Sequence, residues 1–251
     1  MINSIKFEVI FRGEVDSTNE EAKRLIIEQK YPVEYNVICA KSQISGKGRA
    51  GRSWYSPKGN LYLSIILPKT SSLDDMCQLS FVTSLAVHKT LMKIFRKHNI
   101  SKKVKLKWPN DILIDDKKVS GILIENFERV SKYIIIGIGI NVQHFPNLEN
   151  LSYHPTSLKE QGVNIENNLQ ITEMFLSYFQ YYYKNWLVKG FLPIRQEWLK
   201  KCDGKGRMIS VATQYNKVSG RFMDIDFSGA IRLQLSDGQI YTLNTGEVFF
   251  E

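Results

Sequence analysis

Cysteine is scarce in this chain and isolated where it occurs: Cys39, Cys77 and Cys202 are odd in number and far apart, with no C-x-x-C among them. That excludes a disulfide framework or a C-x-x-C redox or zinc motif, and predicts reduced, partly buried thiols in a cytoplasmic protein. Histidine is almost as sparse, and His88, His98, His144 and His154 show no zinc-ligand spacing. No apolar run approaches the roughly 18 residues that a membrane span requires. The opening Met1-Ile2-Asn3-Ser4-Ile5-Lys6-Phe7-Glu8 carries no secretory pattern. Internal repeats, low-complexity tracts and long linkers are missing as well. What remains is a 251-residue chain of 43% hydrophobic composition, long enough for one large unit and a small one. The net charge is +9, but the lysines are scattered, so a solvated basic surface that steers an acidic partner or a nucleotide fits better than a nucleic-acid stripe.

Glycine, by contrast, is concentrated where it matters. Residues 46 to 54 read Gly-Lys-Gly-Arg-Ala-Gly-Arg-Ser-Trp and satisfy G-x-G-x-x-G. A dinucleotide fold requires that motif to follow a strand and open a helix. The apolar run Tyr35 to Ala40 supplies the strand, but Pro57 and Gly59 forbid the helix. A kinase phosphate loop is also excluded, since no V-A-I-K, H-R-D or D-F-G accompanies it. Two readings stand: a solvated, mobile basic loop, or one in which backbone N–H groups and the side chains of Lys47, Arg49 and Arg52 close over an anion. Trp54, just after the loop, suits a planar base beside a phosphate chain, although a Trp is more often core.

A second constellation begins at Lys105-Leu106-Lys107-Trp108-Pro109-Asn110-Asp111 and continues through Lys117-Lys118-Val119-Ser120-Gly121 to Glu125. Asp115-Asp116-Lys117-Lys118 reads as a hairpin turn, and one face of the hairpin would carry Lys107, Asn110 and Lys118. Solvated lysines on an ordinary hairpin are the plain alternative. Elsewhere, strands are expected over Lys6 to Arg12, Leu61 to Leu67 and Tyr133 to Val142, the last central, with Gly137 and Gly139 allowing a close approach. Ser17 and Glu20 fit a capping box opening a helix to about Gln29, which places Ser17 and Thr18 where a ligand's oxygens could also bind. Further helices are predicted over Leu73 to Lys97, Gln170 to Val188 and Pro193 to Lys200. From about Gly204 the pattern changes to short strands: Met208 to Val211, Val218 to Ile225, Ala230 to Leu235 and Ile240 to Asn244.

The order Ser17-Thr18-Asn19, Gln43-x-x-Gly46-Lys47-Gly48-Arg49-x-Gly51-Arg52-x-Trp54, Lys107-Trp108-Pro109-Asn110-Asp111, Lys118-x-x-Gly121 and Gly137-Ile138-Gly139-Ile140-Asn141 resembles the biotin protein ligases. The resemblance runs from about residue 15 to 145 and continues more weakly to the end. One departure stands out: Lys47 occupies a position where the family usually has Arg, which keeps the charge but loses bidentate geometry.

The resemblance implies an α+β fold, a class II synthetase-like mixed and largely antiparallel sheet with helices over residues 1–200, followed by a small SH3-like β-barrel over 201–251. It implies a monofunctional enzyme without room for an N-terminal DNA-binding domain. Biotin would be activated by Mg-ATP as biotinyl-5′-AMP and passed to a lysine of a biotin carboxyl carrier protein of acetyl-CoA carboxylase, or of a similar biotin-accepting domain. Lys118 and Arg49 are then the catalytic cations. Ser17, Thr18, Asn19, Gln43, Gly46, Lys47, Gly48, Arg49, Lys118, Gly121 and Gly137 would bind biotin. Arg49, Arg52, Trp54, Lys107, Asn110 and Asn141 would bind ATP. Mg²⁺ would be held by phosphates and water, with no protein metal cage. DNA and membrane are not expected as partners, and a homodimer is left open. A lipoate-type ligase, a non-catalytic biotin-binding module and a nucleic-acid-binding protein are the competing readings.

Overall fold

The computed structural model describes residues 5–30, 35–69, 73–126, 132–147 and 154–250; the stretch read for a secretory pattern starts in residues 1–4, outside them. Seven strands form the main sheet: β1 (Phe7–Val15), β2 (Tyr35–Gln43), β3 (Leu61–Pro68), β4 (Val104–Lys107), β5 (Asp111–Ile114), β6 (Lys117–Asn126) and β7 (Tyr133–Ile140). Their spatial order is β1-β2-β3-β7-β6-β5-β4, so β7 is central as its uninterrupted apolar run predicts. Only β1 and β2 pair in parallel; the other neighbours are antiparallel.

Strand alternation divides the sheet into two unlike faces. Leu61, Leu63, Ile65 and Leu67 of β3, with Ile134, Ile136, Ile138 and Ile140 of β7, face the main core. Helices α2 (Leu73–Lys97), α3 (Asn168–Lys189) and α4 (Phe191–Leu199) contribute to that core. The aromatic residues of α3 belong there too: Phe179 and Tyr183 stack with ring centroids 5.6 Å apart. On the opposite face Ile38, Ile66 and Ile135 pack against Ala22, Leu25 and Ile26 of α1 (Thr18–Ile27). α1 covers only part of that face, and the rest is the site described below.

The β5–β6 hairpin turns through Asp115 and Asp116, both at positive φ (45° and 64°), the conformation of a two-residue turn that matches strand twist. A second sheet follows α4: β8 (Met208–Ala212), β9 (Lys217–Ile225), β10 (Ile231–Gln234), β11 (Ile240–Leu243) and β12 (Glu247–Phe250), antiparallel in the order β11-β10-β9-β8-β12. Trp108 Nε1 donates to Gly229 O at 2.9 Å, which ties this sheet to the turn before β5.

Two details differ from the sequence reading. The capping box does not form: Ser17 is the N-cap of α1 but makes no side-chain capping bond, its N–H donates to Asp16 Oδ1 at 2.7 Å, and the Glu20 carboxylate is taken by Lys23 and Lys47. The residues Gly246-Glu247-Val248 are expected only as the end of the barrel, not as a strand of their own; pairing with β8 defines Glu247 and Val248 as part of β12.

Asn60 locks the end of β7 in place. Its Oδ1 accepts from the backbone N–H groups of Val142, Gln143 and His144, each at 2.9 Å, and it is 2% exposed. Asn60→Ala strands buried donors and is expected to cost at least about 1–3 kcal/mol in chemical denaturation.

Candidate active site

A cavity of about 700 Å³ opens on the α1 face of the main sheet. Its floor is made by the absence of side chains. Gly121 on β6 and Gly139 on β7 are paired in register, and Gly137 lies two residues along. A Cβ at Gly139 would stand 2.3 Å from Trp54 Nε1, one at Gly121 would be 3.1 Å from the same indole, and one at Gly137 would be 2.5 Å from Asn19 Oδ1. The indole and the Asn19 amide therefore lie directly on bare backbone. Trp54 Nε1 is buried without a hydrogen-bond partner.

The N-terminus of α1 forms one wall. Ser17, Thr18 and Asn19 line the cavity beside Gln43 at the end of β2. Gln43 Oε1 accepts from the Thr18 N–H at 2.8 Å, while its Nε2 donates to Ser56 Oγ at 2.8 Å. Ser64 on β3 stands within hydrogen-bond reach of both Thr18 Oγ1 and Asn19 Oδ1. Asn19 Nδ2 donates to Glu125 at 2.6 Å, Glu125 accepts from Lys23 at 2.9 Å, and Lys23 also donates to Glu20. Lys47 completes this chain from the loop, 2.6 Å from Glu20, whose carboxyl is held below the usual range first by that ammonium.

The glycine-rich segment is a closed loop. Lys47 and Ser53 form an isolated antiparallel bridge, and Gly48 N–H donates to Arg52 O at 2.6 Å. The chain reverses through Ala50 (φ 54°) and Gly51 (φ 73°), so the second half of G-x-G-x-x-G makes a left-handed turn rather than a helix. Gly46, Lys47, Gly48, Arg49 and Arg52 all line the cavity. Arg49 donates to Asn110 Oδ1 (3.2 Å) and to Thr245 Oγ1 (3.1 Å). Arg52 pairs with Glu247 at 2.9 Å. Both arginines thus join the loop to the start of β12, across 195 residues or more of sequence.

Lys118 enters from β6. Its Nζ lies 2.7 Å from Asp111 Oδ1 and 5.5 Å from the Trp54 ring centroid. The Asp111 contact is an ion pair off the hydrogen-bond line, so that buried oxygen keeps hydrogen-bonding capacity. A strap at residues 154–158 fixes the Lys118 backbone, which donates to His154 O and accepts from Thr156 N–H, each at 2.9 Å. The same strap takes Asn141: its Nδ2 donates to Thr156 O at 3.0 Å, leaving Oδ1 buried without a hydrogen-bond partner.

Every candidate site residue lines the cavity except Lys107. The hairpin face expected to carry Lys107 beside Asn110 and Lys118 does so only for the latter two; Lys107 ends β4 opposite Asp111 and is 2% exposed. Burial pushes its ammonium down to about 8, with Asp111 and Glu247 opposing. Burial likewise lowers Arg49, against the pull of Asp111. The sequence reading missed Asp111, Thr245 and Glu247 as site residues. Asp111 belongs to the Lys107-Trp108-Pro109-Asn110-Asp111 stretch, whereas nothing local marks Thr245 or the strap. Among the described residues no group of three or more His, Cys, Asp or Glu side chains could hold a metal ion. None of the three cysteines forms a disulfide. No helix among the described residues is long and apolar enough to cross a membrane.

Residues 13–141 match the pattern of the biotin/lipoate A/B protein ligase family, and residues 206–251 that of the biotin protein ligase C-terminal domain. The chain is 30% identical to the biotin–[acetyl-CoA-carboxylase] ligase of Paracoccus denitrificans, over 94% of this chain and 97% of that protein. It is also 30% identical to the bifunctional ligase/repressor BirA of Bacillus subtilis, over 92% of this chain and 70% of BirA. The structure of a biotin protein ligase from Aquifex aeolicus in complex with biotin and ATP superposes with a TM-score of 0.78 at 29% identity, covering 96% of this chain and 97% of that one.

The glycine floor makes a direct prediction. Gly139→Ala should displace the indole and lower stability by about 1–3 kcal/mol, the usual cost of overpacking. Adding Trp54→Ala should restore most of that loss in chemical denaturation, whereas additive losses would show that the two residues do not meet.

Proposed function

The chain belongs to the biotin/lipoate A/B protein ligase family, as a biotin protein ligase, and we propose that its cavity carries both halves of an ATP-dependent biotinylation. The observation that carries this reading is the convergence of Arg49, Arg52 and Lys118 on one cavity floored by glycines. In the first half the biotin carboxylate attacks the α-phosphate of Mg-ATP, forming biotinyl-5′-AMP and releasing pyrophosphate. In the second a lysine amine of the acceptor attacks the acyl carbon and expels AMP. Negative charge grows on oxygen in both, so fixed cations at the reacting centre are the main catalytic requirement.

Lys118 is assigned to the biotin carboxylate and α-phosphate. Arg49 and Arg52 clamp phosphate oxygens, exchanging their present neutral and carboxylate partners for the ligand. Ser17, Thr18, Asn19, Gln43, Gly46, Lys47, Gly48, Gly121 and Gly137 shape the biotin end; Trp54, Asn110 and Asn141 take the adenosine. The unpartnered Asn141 Oδ1 supports that assignment, since an acceptor left buried suits an N–H or O–H of a ligand. Lys107 acts from behind the wall, adding positive potential without contact. Mg²⁺ would arrive with ATP and keep most of its phosphate and water ligands, beside a wall that includes the Asp111 carboxylate. The catalytic unit is placed at residues 1–200 and the barrel at 201–251. The acceptor is a biotin carboxyl carrier domain, the enzyme is cytoplasmic, and it acts without DNA.

Labelled pyrophosphate should exchange into ATP in the presence of biotin and not of lipoate. Lys118→Ala should abolish that exchange while leaving the folded state intact, because a partly exposed hairpin lysine contributes little to stability. Exchange near the wild-type rate would remove Lys118 from the chemistry.

Arg49→Gly should release the acyl-adenylate faster than it slows its formation. One charge-assisted hydrogen bond is worth about 1.5–3 kcal/mol, or roughly ten- to a hundredfold in dissociation. The escaped mixed anhydride would label lysines of serum albumin in the same tube, detected with streptavidin; labelling no greater than wild type would show that Arg49 does not retain the intermediate.

The Lys107 ammonium, held at about 8 against an ordinary 10.5, loses its charge early as pH rises. The KM for ATP is therefore expected to climb between about pH 7 and pH 9, and Lys107→Met should start high and lack that step. Stability moves the other way: from about 8 to 10.5 the unfolded chain binds more protons than the folded one, so the fold gains stability across that window.

A further inference from the structure

Behind Arg49 lies a second hollow of about 190 Å³, outside the roles assigned above. Exposed Cys77 on α2 and Asn244 after β11 form its rim. Its sides are apolar, chiefly Met76, Phe81, Trp108 and Ile122. Arg49, Asn110 and Ile122 line both this hollow and the main cavity, so the two are neighbours across these side chains. The hollow is thus a short shaft from the surface to the guanidinium assigned to the acyl-adenylate.

Its size and chemistry select an occupant. At about 30 Å³ per water-sized site it holds about six non-hydrogen atoms. That is close to the four-carbon stem and terminal nitrogen of a lysine side chain. No carboxylate lines it among the described residues, so nothing there would stabilise an ammonium. Apolar walls and the Arg49 cation both favour the neutral amine, which is the form that attacks a carbonyl.

Resting on the function proposed above, we infer that this hollow receives the acceptor lysine in the second half-reaction, its stem against Met76, Phe81 and Ile122 and its amine at the Arg49 end. The ammonium gives up one proton to solvent on entry. The neutral amine then forms a C–N bond to the acyl carbon, the C–O bond to phosphate breaks, AMP leaves with the bonding electron pair, and the second nitrogen proton follows the first into solvent.

Cys77 supplies the test. It is the exposed thiol, whereas Cys39 is buried and Cys202 half-buried, and burial pushes both of those thiols up to about 12. Alkylation with a bulky maleimide should therefore fall on Cys77 and block the rim. The expected result is pyrophosphate exchange within about twofold of the untreated enzyme, transfer to a biotin carboxyl carrier domain reduced at least about tenfold, and retained reaction of the adenylate with hydroxylamine, which needs no shaft. Cys77→Ser given the same reagent should keep transfer, and Met76→Trp, unalkylated, should reproduce the block from inside. Unchanged carrier transfer after complete alkylation and in Met76→Trp would overturn the inference, as would loss of exchange along with transfer in both. Absence of biotin-dependent exchange in the untreated protein would instead count against the proposed function itself.

Discussion

A steric constraint organises the site: three positions on two central strands carry no side chain. Gly121, Gly137 and Gly139 lie on the sheet face that α1 only partly covers; a Cβ at Gly137 or Gly139 would collide with Asn19 or Trp54, and one at Gly121 would crowd Trp54. The other face of the same strands is packed with isoleucine against three helices. Burial on that side anchors the strands, so the bare side can hold a shape without contributing packing of its own. A flat, rigid, open floor follows from this asymmetry, and the loop, the α1 N-terminus and β12 are arranged around it.

The second requirement is to hold positive charge beside that floor before any ligand arrives. Each cation has a partner that fixes its direction: Glu20 for Lys47, Asn110 and Thr245 for Arg49, Glu247 for Arg52, Asp111 for Lys118. The Lys47–Glu20 and Arg52–Glu247 pairs are largely exposed and individually weak, of order 0–1 kcal/mol, so an incoming anion can replace them at small cost. Lys47 illustrates the difference between Lys and Arg. Its point charge seats on Glu20, joining the loop to the chain of bonds through Lys23 and Glu125 to Asn19. A cation at that position acts on the loop's position as well as on the ligand.

Much of this was legible in the residues. The limits of α2, a hairpin turn beginning at Asp115 and the central place of β7 follow from periodicity and turn chemistry, which are local; the turn is two residues shorter than read, because Lys117 and Lys118 already belong to β6. Pro57 and Gly59 correctly excluded a nucleotide-binding helix after the glycine motif. What could not be read depends on distant segments. Lys105 and Lys107 alternate identically in sequence, yet Lys105 reaches Asp116 and Asp203 near the surface while Lys107 is buried. Neither half of the capping box forms: Asp16 takes the Ser17 N–H, and Glu20 has two ammonium partners, one of them in a loop 27 residues away. The ties from Arg49 to Thr245 and from Arg52 to Glu247 span 196 and 195 residues, and no spacing rule anticipates them.

A crystal structure grown with biotin and ATP would test most directly whether the glycine floor and its ring of cations form one catalytic site. The expected result is biotinyl-5′-AMP lying over Gly121, Gly137 and Gly139, with its phosphate in hydrogen-bond reach of Arg49 and Lys118 and those two side chains released from Thr245 and Asp111. Adenylate bound on another surface, or bound here with Arg49 still on Thr245 and Lys118 still on Asp111, would contradict it.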